Sequence, residues 1–189
     1  VGNALEVKEA INTLQGRGPK DLFELCLTLG SNMVYLAGKA NTVEEARTLL
    51  LETVKNGSAI NKLKEFVAAQ GGNPAQVDNP DLLPKAKYIV PVISDREGCV
   101  KKINAENIGL AAMKLGAGRA AKEDKIDLAV GIVLNKKRGD CIKLGEVIAY
   151  IHANDEGKIE NAKRDILENY IIDVESGRDV PLIFGTIGG

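Results

Sequence analysis

No run of apolar residues in this sequence approaches the roughly 20 that cross a bilayer, so no membrane partner is expected. The opening stretch VGNALEVKEA lacks the charged and apolar zones of a secretory leader, and a cytoplasmic location is the expectation. There is a single histidine, His152, and the three cysteines, Cys26, Cys99 and Cys141, form no C-x-x-C pair, which argues against a zinc framework. All three thiols are expected to be reduced and mostly packed. A surplus of either charge is also missing: 25 basic and 26 acidic residues leave a formal net charge of -1, which offers no footprint for nucleic acid. No Ser-His-Asp set, phosphate loop ahead of a helix or metal cluster can be found. An initiating methionine is absent too; Val1 leads straight into a helical pattern, and a fragment of a longer chain is expected.

What is present suffices for a real core, since 189 residues make one large domain or two small ones. The first seventy residues read as helix after helix. Asn3 is placed to cap the first, with Leu5, Ile11 and Leu14 on its apolar face, and Gly16 and Gly18 end it. Pro19 then opens a second helix that runs through Leu22, Leu25, Cys26, Leu29, Met33 and Leu36 to about Ala40. Its apolar stripe is wide, and burial against more than one neighbour is expected. Thr42 to Glu45 is a capping box opening a third helix that ends at Asn56-Gly57; Ser58 starts a fourth, stopped by Gly71-Gly72.

Residues 71 to 86 hold three of the six prolines and read as an extended connection, the best domain boundary. Beyond it the periodicity changes. Tyr88–Ile93 reads as a strand, at a sheet edge because Pro91 donates nothing to a ladder. Two β half-units follow, Asp95 to Ile103 and Lys136 to Ile151, around a helix from Ala105 to Leu115 and a strand from Ile126 to Leu134. In the second half-unit Gly139-Asp140 and Gly145-Glu146 make turns, Ile142 points inward and Val147–Ile151 is a β-branched strand. A helix over Ile159 to Tyr170 and short strands at Ile171–Val174 and Leu182–Phe184 complete an α+β domain of hammerhead or barrel-sandwich shape.

Small domains of that shape carry biotin or lipoate on a lysine, and Ala112-Met113-Lys114 is the context a biotinylated lysine has. Against a carrier role, Lys114 sits among good helix formers, with Leu110 and Met113 facing in, whereas a carrier lysine occupies an exposed hairpin tip. Gly116-Ala117-Gly118-Arg119 reads either as a phosphate nest or as a helix end with its turn. His152 has no nucleophile or paired carboxylate near it in sequence, and Lys136-Lys137-Arg138 reads as a solvated hairpin. Glu6 and Glu9 read as surface charges.

Gly2-Asn3-Ala4-Leu5-Glu6-Val7, Glu9-Ala10-Ile11, Gly18-Pro19, Met33-Val34-Tyr35-Leu36-Ala37, Ala69-Gln70-Gly71-Gly72, Leu115–Arg119 and Gly131–Leu134 together resemble the pyrimidine-nucleoside and thymidine phosphorylases. The likeness runs over essentially the whole chain and aligns it with the C-terminal part, less than half, of such an enzyme. It implies a homodimeric pentosyltransferase that splits a pyrimidine nucleoside with inorganic phosphate into the free base and a pentose 1-phosphate. The family's phosphate loop and its pyrimidine-holding residues lie upstream of Val1, so the resemblance implies no catalytic or substrate-binding residue here. By the same resemblance residues 1–72 are helices of the central α/β domain, 73–86 a linker and 87–189 the C-terminal hammerhead-like domain. It also implies one metal ligand, Glu9, which joins backbone carbonyls just ahead of Gly2-Asn3-Ala4 around a potassium ion; no organic cofactor is implied. The alternatives are thymidine phosphorylase proper, a biotinyl or lipoyl carrier, and a structural module.

Overall fold

The computed structural model describes residues 1–173 and 181–187. They fall into two units, one taking Val1–Glu6 with residues 83–173 and the other Val7–Leu82 with residues 181–187.

The second unit is helical, and none of its described residues is in a strand. It contains most of α1 (Asn3–Leu14), then α2 (Lys20–Leu36), α3 (Val43–Lys55), α4 (Ser58–Ala69) and the one-turn α5 (Ala75–Asp78), with a 3-10 turn at Pro80–Leu82. The capping box forms: Thr42 Oγ1 accepts from Glu45 N at 3.0 Å, while Glu45 Oε2 reaches one residue further back, to Asn41 N at 2.8 Å. Helix α2 stops at Leu36, short of Ala40, because Lys39 N closes back on Val34 O at 3.1 Å. Residues 71–86 are not extended. Asn73 and Asn79 accept from Ala75 N and Asp81 N, and these side-chain bonds start the two short helical turns.

Ile11, Leu27, Ala46 and Val77 are the buried apolar residues of this unit. Gly30 lets α3 come close, since a Cβ there would stand 2.9 Å from Leu50 Cδ1, and Glu24 pairs with Arg47 across the same two helices at 2.6 Å. Among the described residues the stripe on α2 packs chiefly against α3. The buried residues of α2 are Leu27 and Ser31, whereas Leu29, Met33 and Leu36 are 57, 69 and 81% exposed.

The other unit carries β1 (Tyr88–Ile93), β2 (Gly98–Ile103), α6 (Ala105–Ala112), β3 (Gly131–Leu134), β4 (Cys141–Ile142), β5 (Val147–Ala153), α7 (Ile159–Asn169) and β6 (Tyr170–Asp173). Two antiparallel sheets result, ordered β1-β5-β3 and β4-β2-β6. The expected α+β class is what forms. Strand β5 is central and buries Ile148, Ala149, Ile151 and Ala153, while Tyr150 and His152 are half-buried. Strand β1 lies at the edge, where Pro91 costs no ladder bond, and buries Val92 while exposing Ile89 and Ile93. Ile142 is buried, as its inward position requires, and joins Val100, Ile108, Ile132, Ile148 and Ile151 in one core. Helix α7 closes that core with Ile159, Ala162 and Ile166, a spacing of three and four residues that keeps one face inward.

Several expectations are corrected. The helix from Ala105 is regular only to Ala112 and continues as a π-turn over Met113–Ala117; Ile108, Ala111, Ala112 and Leu115 are its buried residues, while Leu110 is exposed. The strand expected from Ile126 begins only at Gly131, because Asp127 spends its backbone N–H on Gly116 O and its Oδ1 on Ala129 N, which folds that segment into a turn. The α7 helix ends at Asn169, since Tyr170 already pairs with Ile103 in β6. Val174 lies outside the described residues. Leu182–Phe184 forms no strand: it pairs with no described residue in a ladder, and Leu182 and Phe184 are exposed. Asn3 does not cap α1; it is the first helical residue, and its amide is used elsewhere. Cys99 and Cys141 are not thiols but a disulfide, because the β2–β4 register sets them directly opposite each other. Cys26 is free and exposed.

Candidate functional site

Helix α1 begins against the β-rich unit, and the contacts there bring together the Gly-Asn-Ala and Leu-Gly-Ala-Gly-Arg segments. Val1 and Ile132 exchange two hydrogen bonds, Val1 N to Ile132 O at 2.7 Å and Ile132 N to Val1 O at 2.8 Å. Such a reciprocal pair extends the ladder beside β3 by one residue. The approach needs glycine on both sides. A Cβ on Gly2 would stand 2.6 Å from Val130 O, and one on Gly131 would stand 2.1 Å from Val1 O.

One residue on, Asn3 Nδ2 donates to Ala117 O at 3.2 Å and Ala4 N to Leu128 O at 3.1 Å. Gly2 O takes the first helical bond, from Glu6 N at 2.9 Å, and Glu6 Oε1 faces Gly2 N at 3.4 Å, placing a carboxylate at the positive end of the helix. Beside these residues lies an open cleft of about 300 Å³, lined by Asn3, Glu6, Gly109, Met113, Ala117 and Gly118 among others. Asp127 holds the floor of the loop, with Oδ2 accepting from Asn154 Nδ2 at 2.7 Å. Reading the sequence locally does not reveal Asn3 or Asp127 as fasteners, because both partners are remote in the chain.

The remaining candidates separate. Lys114 lies in the π-turn that extends α6 and not at a hairpin tip, and its Nζ pairs with Asp165 Oδ2 at 2.8 Å, an arrangement that fits a solvated helical lysine and not a carrier. Gly116–Arg119 is a helix end and not a phosphate nest. The carbonyls of Gly116 and Ala117 are taken by Asp127 N and Asn3 Nδ2, and the amides just beyond, Ala120 N and Ala121 N, both donate to Asp124 Oδ2, so a carboxylate of the chain already occupies the anion position. His152 is half-buried in β5, opposite Ile89 and Gly131. Lys136 is engaged by Glu146 Oε1 at 2.5 Å; that contact, followed by the Lys143 N–H, holds the Glu146 carboxyl below its usual range.

Tyr170 is a buried, strongly perturbed group. Its hydroxyl donates to Lys136 O at 2.8 Å and approaches Ile148 O at 3.3 Å, and burial, with Asp140 nearby, pushes the phenol far above its usual value. Its role is to pin the Lys136 hairpin to the core.

Glu9 lies on α1 with an exposed side chain, and its backbone carbonyl accepts from Thr13 Oγ1 at 2.8 Å. Among the described residues its carboxylate has no partner, so it can serve as one oxygen donor to a hard cation. No group of three or more His, Cys, Asp or Glu able to hold a metal occurs among the described residues. One carboxylate fits a share in a monovalent-cation site but does not make one. Among the described residues no helix is long and apolar enough to cross a membrane.

Residues 99–173 match the family described as pyrimidine nucleoside phosphorylase C-terminal domain. Over 187 residues, 99% of this chain, the sequence is 51% identical to a pyrimidine-nucleoside phosphorylase of Geobacillus stearothermophilus, covering 43% of that protein. A pyrimidine-nucleoside phosphorylase of Staphylococcus haemolyticus is 58% identical over 156 residues, and one of Bacillus subtilis is 52% identical over 176. The chain spans 36 to 43% of the length of these relatives. Residues 99–173 thus match the pyrimidine nucleoside phosphorylase C-terminal domain, and the chain as a whole matches the C-terminal portion of these relatives.

Proposed function

We propose that this chain is the C-terminal part of a pyrimidine-nucleoside phosphorylase, an enzyme that converts a pyrimidine nucleoside and inorganic phosphate into the free base and a pentose 1-phosphate. The observation that carries the proposal is the sequence identity of 51% sustained over 99% of the chain. In the complete enzyme, catalysis is positional and electrostatic: phosphate held by amides and cations, charge on the departing base stabilised, and an oxocarbenium-like sugar attacked. This portion supplies scaffold. The lock between Val1–Ala4 and residues 117–132 fixes where α1 starts.

In the complete enzyme Glu9 contributes one ligand to a potassium ion, the others being backbone carbonyls ahead of Gly2. The enzyme is a cytoplasmic homodimer. The shared name of the relatives favours broad pyrimidine specificity over thymidine phosphorylase proper. Uracil release from uridine with inorganic phosphate tests the reading: the complete enzyme carrying this sequence turns uridine over, and this chain alone does not. Turnover by the chain alone would sink it. Glu9→Ala in the complete enzyme should weaken activation by potassium with little change in its melting temperature, whereas undiminished activation removes Glu9 from the site.

A further inference from the structure

Strand β4 is a two-residue strand at a sheet edge, and the segment that carries it, Lys137 to Leu144, is tied down at both ends. On one side the Tyr170 hydroxyl donates to Lys136 O at 2.8 Å; on the other Gly145 N donates to Ser94 O at 3.0 Å. In between, β4 meets β2 at two register positions, Gly98 with Ile142 and Cys99 with Cys141, and the second pair carries the disulfide. Two backbone bonds add to the attachment, Val100 N to Asp140 O at 2.8 Å and Gly139 N to Val100 O at 2.9 Å. Strand β2 does not depend on this link, since it also pairs with β6 at four positions from Cys99 to Ile103. Breaking the disulfide therefore loosens β4 and not β2. The segment buries a single side chain, Ile142, and a stretch with so little buried opens locally at small cost.

The two sulfurs differ in access. Cys99 is 8% exposed on the inner strand, whereas Cys141 is exposed at the sheet edge. A disulfide is opened by a thiolate that reaches one of its sulfurs, and exposed bonds are the labile ones. In a reducing compartment such as the cytoplasm, a disulfide that does form is characteristically transient or redox-sensing.

We propose that Cys99–Cys141 is a reversible thiol–disulfide switch, entered at Cys141 by a low-molecular-weight thiol of the glutathione class, that sets whether the Lys137–Leu144 segment is closed on β2 or open. The small thiolate attacks Cys141 Sγ, the bond to Cys99 breaks, and its electron pair leaves on Cys99 Sγ, which takes up a proton. A mixed disulfide is left on Cys141. A second small thiolate attacks the outer sulfur of that mixed disulfide, frees Cys141 as a thiolate and departs as the small-molecule disulfide. Two small thiols are thus oxidised while one protein disulfide becomes two thiols, and the small-molecule disulfide runs the steps backwards. Open, the segment draws Ile142 out of the core and offers the chain to proteases, so the state of the small thiol governs the lifetime of the protein. The cytoplasmic setting comes from the proposed function, but the test reads no turnover of uridine, so either can fail alone.

The test is limited digestion of this chain with trypsin, which cuts after lysine and arginine and has Lys137, Arg138 and Lys143 as its sites in the segment. In the oxidised chain the first cut falls elsewhere. After reduction with glutathione it falls within the segment, where cleavage runs at least about tenfold faster because it follows the population of the open form. Oxidised glutathione then restores the resistance. Peptide mapping after an acid quench, early in the reaction with glutathione, finds the mixed disulfide on Cys141. Equal cleavage of the segment in both states overturns the switch, as do first cuts at the same sites in both, or resistance that does not return on reoxidation. A mixed disulfide found on Cys99 overturns the assigned point of entry.

Discussion

Gly131 lies so close to Val1 and Gly2 that a Cβ on it would stand 2.1 Å from Val1 O and 2.9 Å from Gly2 Cα. Val1 O is the acceptor for Ile132 N, so the methyl of Gly131→Ala has to break that bond or bend β3. Overpacking of this kind costs about 1–3 kcal/mol. The expected loss in melting temperature is about 2–4 °C per kcal/mol. Gly109→Ala is the control, for nothing lies within 4 Å of a Cβ there and the residue is inside α6. It should raise stability by up to about 1 kcal/mol. A calorimetric scan in which both variants move the same way would contradict the close approach.

The Cys99–Cys141 bond joins strands that share only two register positions, and it closes a loop across 42 residues of sequence. Restricting a loop of that length in the unfolded chain is worth about 2–4 kcal/mol. Dithiothreitol should therefore lower the melting temperature of this chain. The double variant Cys99→Ser, Cys141→Ser should melt at the reduced value and ignore the reagent. A melting curve unchanged by reduction, with two thiols then titrating, would show that β2 and β4 hold together without the link.

Glu146 has a carboxyl held below its ordinary value of 4.5, first by the Lys136 side chain and then by the Lys143 N–H. A carboxyl with a lowered folded value stabilises the fold above its unfolded value and loses that contribution as pH falls through the folded one. The site is exposed, and the effect is a slope and not a large total. Denaturation midpoints between pH 6 and pH 3 should fall less steeply for Glu146→Gln than for the unaltered chain. Parallel curves would assign the acid limb to other carboxylates.

Features carried by a few neighbouring residues were legible in the sequence. Thr42 and Glu45 announced a helix start, Pro91 an edge strand and Val147–Ile151 a strand, each through chemistry that acts over a handful of residues. Features that depend on register were not. Nothing local to Cys99 tells that Cys141 will lie opposite, and nothing local to Asn3 tells that Ala117 O, 114 residues away, will take its amide proton. The failure at α2 has a further cause. An apolar stripe states what a helix can bury, but Leu29, Met33 and Leu36 stay exposed unless a partner is present to cover them. Glu9 as a cation ligand has no local signal, being one carboxylate on a helix among others, and only the family resemblance singled it out.

Tyr170 is 2% exposed, and its hydroxyl donates to Lys136 O at 2.8 Å. Tyr170→Phe leaves that carbonyl without its donor, whereas Ile148 O keeps Asn135 N and Lys136 N. One lost hydrogen bond puts the cost near neutral pH at about 1 kcal/mol. The pH dependence separates this bond from simple packing. Burial, and then Asp140, raise the folded phenol above its ordinary value of 10.0, so the unfolded chain releases this proton first as pH rises. Stability owed to the protonated phenol is complete below pH 10 and is lost above it. Phenylalanine has no such proton. The gap between the unaltered chain and Tyr170→Phe should hold constant from pH 7 to about 9.5 and then narrow through pH 11, followed by denaturant titration and by tyrosinate absorbance. A gap that stays constant to pH 11 would mean that Tyr170 ionises in the folded chain as readily as in the unfolded one, and the hairpin pin would have to be abandoned.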